Sequence, residues 1–164
     1  MRIAVGCDHA GFPLKAITIA TLERLGHDVV DLGTHDGNAV DYPDYALAVA
    51  LAMRRGEADR GILLCGSGVG AAVAANKVPG IRAATCHDTF SARQGVEDDD
   101  VNVLCLGARV VGPSLAQEII EAWQSARFSA LERHQRRLHK VIAIEQRFSC
   151  NREDADEHRH QPPA

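Results

Sequence analysis

A cysteine that precedes a glycine-rich run is the feature of this sequence best suited to chemistry. The run is Cys65-Gly66-Ser67-Gly68-Val69-Gly70, and its three glycines let the backbone curl until several N–H groups converge. A helix is predicted to follow at once, and its first turn would add partial positive charge. These donors would stabilise a thiolate, so Cys65 is a candidate nucleophile or general base beside a developing oxyanion. The alternative is a purely structural turn that follows a buried cysteine.

The glycine-rich run fits neither of the two common nucleotide-binding patterns. A Walker A loop needs GxxxxGK[ST], which the sequence lacks, and the dinucleotide fingerprint needs GxGxxG where residues 66–70 give GxGxG. A nucleotide cradle also has no use for a thiol at its first position. The run therefore favours chemistry at carbon over nucleotide binding.

Other polar residues follow the predicted strands or begin the predicted helices. Asp8 and His9 come after the first strand and could orient hydroxyls or a phosphate; the alternative is a helix cap by Asp8 and a surface His9. Tyr42 begins the second helix and, taken alone, is typical of a half-buried packing residue. Arg133 and Arg137 lie four residues apart, so they share a helix face as a phosphate clamp requires, although a solvated basic face is commoner. A further arginine, Arg109, follows the fifth strand and could reach the same anion.

Short apolar runs alternate with longer amphipathic stretches, which predicts βαβ units and a parallel sheet. The predicted strands cover residues 2–6, 28–32, 61–65, 81–86 and 102–106. The predicted helices cover residues 13–25, 43–55, 69–77, 89–94, 113–126 and 132–147. Ligands of such sheets bind beyond the carboxyl ends of the strands, which is where Cys65, Asp8 and Arg109 fall. The charged composition after Phe148 predicts a folded domain over 1–148 and a disordered tail over 149–164.

Length and composition set the class of protein. The 164 residues, 46% of them hydrophobic, are most simply one globular domain. A net charge of −4, from 18 Lys and Arg against 22 Asp and Glu, argues against a nucleic-acid partner. No apolar run approaches the roughly 20 residues that a membrane span needs, and no signal peptide is recognisable. The five cysteines lack CxxC spacing, so we expect reduced thiols in a cytoplasm.

Five motifs, in order along the chain, resemble the type B ribose-5-phosphate isomerases, a family that includes the subunits of galactose-6-phosphate isomerase. The motifs are GCDHAGFPLK, DYPDYA, CGSGVGAAVAANKVPGIRAA, NVLCLGARVVG, and RHQRR with AIEQR. The resemblance implies an α/β fold, a three-layer α/β/α Rossmann-like sandwich with a five-stranded parallel sheet. It implies a homodimer or a dimer of dimers whose active sites lie between subunits. The implied reaction interconverts an aldose phosphate and a ketose phosphate through a cis-enediolate, without a metal or cofactor.

The resemblance also implies a role for each candidate residue. Cys65 matches the thiol base that moves a proton between C1 and C2, and Ser67 matches the hydroxyl that assists proton movement between the oxygens. Some relatives carry a carboxylate base where this chain has Ala71, so Cys65 is the candidate base here. Substrate-binding positions of the family are matched by Asp8, His9, Tyr42, Gly66, Gly68, Val69 and Gly70. Phosphate-binding positions are matched by His9, Arg133 and Arg137, with Arg109 reaching the phosphate from a neighbouring subunit.

The sequence departs from the family pattern just before the fifth strand. Asp98 replaces the histidine that opens the sugar ring, and Asp99 replaces an asparagine that contacts substrate. Together with Asp100 they form three consecutive carboxylates, which repel one another unless they are solvated or paired. Asp98 could itself serve as the acid if burial keeps it protonated. The main expectation is isomerisation of D-ribose 5-phosphate to D-ribulose 5-phosphate. The alternatives are a four-carbon substrate that needs no ring opening, D-erythrose 4-phosphate/D-erythrulose 4-phosphate, and a non-catalytic phosphosugar-binding subunit.

Overall fold

Five strands are each followed by a helix, and a sixth helix comes last, along residues 1–149, the part of the chain that the computed structural model describes. The strands are β1 Arg2–Cys7, β2 Asp28–Asp31, β3 Arg60–Cys65, β4 Ala83–Thr85 and β5 Val103–Gly107. The helices are α1 Phe12–Arg24, α2 Tyr42–Arg54, α3 Val69–Ala75, α4 Thr89–Asp99, α5 Pro113–Ser125 and α6 Glu132–Ser149. The strands pair in parallel in the order β2-β1-β3-β5-β4, so their carboxyl ends lie at one edge of the sheet.

Apolar side chains cover both faces of the sheet, as its nearly continuous apolar strands predict. One hydrophobic cluster joins the strands to Leu22 of α1, Val96 of α4 and Trp123 of α5. The other joins them to the alanine-rich helices α2 and α3. Gly61 of β3 permits this close approach, because a Cβ there would lie 2.6 Å from Cγ1 of Val49 in α2. The predicted three-layer α/β/α sandwich with a five-stranded parallel sheet is therefore confirmed.

Helix α4 is longer than predicted, and the difference changes the position of two candidate residues. The sequence predicts a short helix over 89–94, but the helix continues to Asp99. Buried Val96 anchors the additional turn in the core, and the Val101 side chain fills the space beside Gly95. Asp98 and Asp99 therefore lie in the last turn of a helix, immediately before the backbone turns at Asp100 with a φ of 52°.

Three other elements differ from the prediction by two residues at one end, and the remaining elements by one residue at one or both ends. Strand β4 is shorter than the predicted 81–86, and helix α3 ends two residues before the predicted 77. Helix α6 continues through Ser149, which the sequence assigns to the tail. The rest of that predicted tail, from residue 150, lies outside the described residues. Among the helices of residues 1–149, none is both long enough and apolar enough to cross a membrane.

Buried thiols make the stability of the fold sensitive to alkaline pH. Burial raises the pKa of Cys7 and of Cys86 from 9.0 to about 11, and it raises the pKa of Cys105 as well. The unfolded chain loses these protons near pH 9.0, whereas the native chain keeps them until about pH 11. Because the native state binds more protons in this interval, the free energy of unfolding is expected to fall as pH rises through it.

Urea unfolding of the wild type and of a Cys86→Ala variant, at about pH 8 and about pH 10.5, checks this expectation. The stability difference between the two proteins isolates the Cys86 thiol from lysines and tyrosines that titrate in the same range. We expect the advantage of the wild type over the variant to shrink at the higher pH. An advantage that is constant or grows with pH would contradict the assignment.

Candidate active site

The Cys65 thiol ends strand β3 at the carboxyl edge of the sheet, beside the glycine-rich loop. The residue is buried, with 5% of its surface exposed. The backbone N–H of Gly68 donates to Cys65 Sγ at 3.0 Å. A donor that faces the sulfur favours negative charge on it, which is the state in which a cysteine acts as nucleophile or base. The sulfur and one of the predicted loop amides are thus in contact.

Glycines hold this loop in a conformation that side chains would disturb. Gly68 has a φ of 81°, and a Cβ there would lie 2.9 Å from Cγ2 of Thr85. The Thr85 hydroxyl donates to the Gly68 carbonyl at 3.2 Å, which ties the loop to strand β4. Gly107 lets β5 approach equally closely, since a Cβ there would lie 2.7 Å from the Ser67 carbonyl carbon. The Ser67 residue itself is exposed, and its Oγ accepts the Val69 N–H at 3.3 Å.

Asp8 and His9 follow strand β1, the neighbour of β3, and are fixed by different contacts. Asp8 is buried and accepts the Gly11 N–H at 2.8 Å, which holds the turn that precedes helix α1. It is not the helix cap that the sequence offers as its alternative role, because the N-cap of α1 is Gly11 and no side chain caps this helix. His9 is half-buried, and its Nδ1 lies 3.1 Å from the carbonyl oxygen and 3.2 Å from the N–H nitrogen of Val40. The ring is therefore held against the loop that precedes α2.

Tyr42 and Arg109 complete the group of side chains around the thiol. The Tyr42 ring packs on the loop, since a Cβ on Gly70 would lie 2.9 Å from its Cζ. The resemblance implies that Arg109 and His9 serve the phosphate from different subunits, but the Arg109 guanidinium lies over Gly66 of its own chain, at the same edge of the sheet as His9; a Cβ on Gly66 would be 3.6 Å from its Cζ. We call this group the thiol cluster; its members are Asp8, His9, Tyr42, residues 65–70 and Arg109. A carboxylate, an imidazole, a phenol and a guanidinium thus lie at the same edge of the sheet as a thiol.

The remaining candidates form a second group where α4 ends and α6 begins. We call it the clamp cluster; its members are Asp98, Asp99, Arg133 and Arg137. The Ser129 N–H donates to the Glu97 carbonyl at 2.9 Å, which fixes the start of α6 against the end of α4. Arg133 and Arg137 are exposed one helical turn apart. Both arginines are therefore available to an anion.

The repulsion expected among the three consecutive carboxylates is relieved by distant partners. Asp98 Oδ1 lies 3.3 Å from His134 Nδ1 on helix α6. Asp100 forms an ion pair with Arg82, which precedes strand β4. Asp99, between them, is exposed to solvent. Each carboxylate thus has a partner or water, and the run is compatible with a stable fold.

Within one chain the two clusters lie at opposite edges of the sheet. Cys65 is in register with Gly107, the last residue of β5. Asp98 instead precedes the first residues of β5, where Asn102 Oδ1 accepts the Arg82 N–H at 2.8 Å. The five residues of β5 span about 16 Å between these edges. Within one chain, the members of the thiol cluster therefore lie together at the carboxyl ends of the strands, and the clamp cluster lies at the opposite ends.

Comparison with known proteins identifies the family of this chain. The chain matches the Ribose/Galactose Isomerase family over residues 3–141. It belongs to that family. Membership identifies the chain as a sugar-phosphate isomerase, an enzyme that interconverts an aldose and a ketose, and it confirms the resemblance predicted from the five motifs.

Similar members of the isomerase family carry names that differ in the sugar. Ribose-5-phosphate isomerase B of Escherichia coli K12 is 49% identical over 146 residues, which cover 89% of this chain and 97% of that protein. D-erythrulose-4-phosphate isomerase of Pectobacterium atrosepticum is 46% identical over 129 residues, covering 78% of this chain and 85% of that protein. The solved structure of Clostridium thermocellum ribose-5-phosphate isomerase B has a TM-score of 0.87 and 47% identity, covering 90% of this chain and 99% of that one.

Two histidines of this isomerase have contacts at the clusters that the sequence does not predict. His87 follows β4, and its Nε2 accepts the Gly107 N–H at 3.1 Å, so it borders the Ser67 loop. His134 lies between the two clamp arginines and contacts Asp98. For His87 the only signal is its position after a strand. For His134 there is none, because a histidine within a run of basic residues is typical of an exposed helix face.

Proposed function

We propose that this isomerase interconverts D-ribose 5-phosphate and D-ribulose 5-phosphate through a cis-enediolate, with no metal or other cofactor. The observation that carries the proposal is the buried Cys65 thiol, whose sulfur accepts the Gly68 N–H at the end of β3. The 49% identity to a protein named ribose-5-phosphate isomerase B supports the choice of sugar. A thiol base works only while it is reduced, so we propose the cytoplasm as its location.

A single mobile base accounts for both proton positions on carbon. The Cys65 thiolate would remove the proton from C2 of the open-chain aldose, and the resulting thiol would return a proton to C1 to give the ketose. Negative charge develops on the enediolate oxygens between these steps, and the N–H groups of residues 66–70 would stabilise it. The Ser67 hydroxyl would carry a proton between O2 and O1. Asp8, His9 and Tyr42 would bind the hydroxyl groups of the sugar.

A second copy of the chain would complete each site. The clamp arginines cannot reach the thiol of their own chain across the sheet, so we propose that they bind the phosphate at the thiol cluster of a partner, beside His9 and Arg109. Helix α6 has an apolar surface suited to such a contact, with Ile144 61% and Phe148 63% exposed. These two side chains border a groove of about 760 Å³ between α6 and residues 76–83. Covering this apolar surface with a second copy would stabilise a homodimer or a dimer of dimers.

A four-carbon substrate is the second candidate, and Asp98 is the observation that favours it. The resemblance implies that Asp98 stands where the family has its ring-opening histidine, and Asp98 Oδ1 lies 3.3 Å from His134 Nδ1. D-erythrulose 4-phosphate cannot close a furanose ring through its phosphorylated oxygen, so its isomerisation needs no acid for ring opening. The 46% identity to a protein named D-erythrulose-4-phosphate isomerase is compatible with this candidate.

Steady-state turnover on four-, five- and six-carbon aldose and ketose phosphates distinguishes the candidates. We expect the highest kcat/KM with ribose 5-phosphate. We also expect an Asp98→His variant to raise kcat on ribose 5-phosphate, which exists as a ring, while leaving kcat on erythrulose 4-phosphate within about threefold. High turnover of the tetrulose phosphate and none of ribose 5-phosphate would favour the second candidate. Turnover of none of these phosphates would overturn the proposal and favour a phosphosugar-binding subunit.

A further inference from the structure

His134 is the one buried side chain of helix α6, although three arginines and a glutamine surround it in sequence. Only 3% of the residue is exposed, whereas Arg133 and Arg137 on the same helix are exposed. Burying an imidazole is unfavourable unless both ring nitrogens find partners. Its ring nitrogens do find partners, on three different segments of the chain.

The partners of His134 fix which nitrogen carries its proton. The Arg133 Nε–H donates to His134 Nε2 at 2.9 Å. A guanidinium has donors and no acceptor, so Nε2 must be the unprotonated nitrogen. The ring proton is then on Nδ1, which faces Ser129 Oγ at 2.7 Å and Asp98 Oδ1 at 3.3 Å. The contacts on its two ring nitrogens thus fix the orientation of the His134 ring from both sides.

The hydrogen bond to His134 leaves the end of the Arg133 guanidinium available to an anion. Because Nε is engaged by His134, the guanidinium plane is fixed and its two terminal nitrogens are left without a hydrogen-bond partner among residues 1–149. Two parallel N–H groups in a fixed plane match two phosphate oxygens. An arginine that is already oriented also loses less conformational freedom when the phosphate binds.

We infer that His134 is a positioning residue that holds Arg133 for the phosphate of the substrate, with Asp98 and Ser129 fixing the imidazole from the opposite side. The inference rests on the proposed function, since it takes Arg133 as a phosphate ligand. It also gives Asp98 a role besides proton donation: its carboxylate, at the end of α4, supports the clamp through His134. Asp98, where the sequence departs from the family pattern, thus contacts the same imidazole that accepts a hydrogen bond from Arg133 of the phosphate clamp.

Two substitutions of His134 with opposite hydrogen-bonding capacity test this role. Leucine in a His134→Leu variant fills a similar volume with no polar atom. Glutamine in a His134→Gln variant can accept the Arg133 Nε–H and donate toward Ser129 and Asp98. We expect His134→Leu to raise KM for ribose 5-phosphate on the order of tenfold, with kcat changed less than about threefold. We expect His134→Gln to keep KM close to that of the wild type. Calorimetric titration with inorganic phosphate should give a parallel loss of affinity in His134→Leu.

An Arg133→Ala background separates positioning from a general structural effect. If His134 acts through Arg133, adding His134→Leu to Arg133→Ala should weaken phosphate binding no further. Full additivity of the two substitutions, or unchanged phosphate affinity in His134→Leu, would overturn the inference and leave the proposed function intact. Unchanged phosphate affinity in Arg133→Ala would instead overturn the clamp itself. If His134→Leu does not fold, Asp98→Ala releases the ring from one side and should raise KM in the same way; an unchanged KM there would count against the inference.

Discussion

Replacing Cys65 with alanine is expected to abolish isomerisation while the fold is retained. The substitution removes the only atom that the proposed mechanism uses to move protons on carbon, and loss of a positioned general base typically costs about 10²- to 10⁴-fold in rate. The structural cost is small, because alanine keeps the Cβ and only the sulfur leaves a largely buried site. The Gly68 N–H loses its acceptor, but the loop remains tied to β4 through Thr85.

Exchange of the C2 proton of ribose 5-phosphate with deuterated water measures the loss of the base directly. The exchange needs a base that removes this proton, but it does not depend on release of the product. Cys86→Ala is the matched control: it removes another buried thiol at the same edge of the sheet, one whose pKa burial raises to about 11. We expect exchange at the wild-type rate in the control and none above background in Cys65→Ala. Wild-type exchange in Cys65→Ala, with an unchanged thermal unfolding profile, would exclude Cys65 as the base.

Most of the fold could be predicted from local sequence patterns because several independent patterns mark the same elements. Apolar runs, the glycines that end helices and the prolines that begin them all mark the same βαβ units. The length of α4 could not be predicted in this way. Its last turn depends on Val96 reaching the core and on Val101 packing beside Gly95, which are tertiary contacts that override the weak helical propensity of glycine.

The two clusters differ in how far the sequence could predict them. The thiol cluster follows from a local rule, since the residues after parallel strands meet at one edge of the sheet. The contact between Asp98 of the clamp cluster and His134 follows from no local rule. Asp98 and His134 are far apart in sequence, and they meet where the chain before α6 contacts the end of α4, at the Ser129–Glu97 hydrogen bond. Three adjacent carboxylates therefore suggest repulsion in the sequence, although in the structure two of them are paired.

The separation of the clusters leads to the second large effect, recovery of activity when two inactive variants share one assembly. Cys65→Ala damages the thiol cluster, and a chain with both Arg133→Ala and Arg137→Ala lacks the phosphate clamp. Each variant alone is expected to be inactive. In a hybrid, the intact thiol cluster of one chain meets the intact clamp of the other, so one of its two sites is whole. A purified dimeric hybrid should therefore show about half of wild-type activity, and an unselected mixture assembled at random from equal amounts should show about a quarter.

Co-expression of the two variants with different affinity tags, followed by purification through both tags, isolates the hybrids for assay. The matched control pairs Cys65→Ala with Arg109→Ala, because both lesions lie in the thiol cluster. Each site of that hybrid carries one lesion or the other, so we expect no recovery beyond the residual activity of Arg109→Ala. If each site were built within one chain, the clamp hybrid would also stay inactive, since both of its chains are damaged. Recovery in the clamp hybrid but not in the control therefore requires the thiol of one chain and the arginines of another to serve the same substrate.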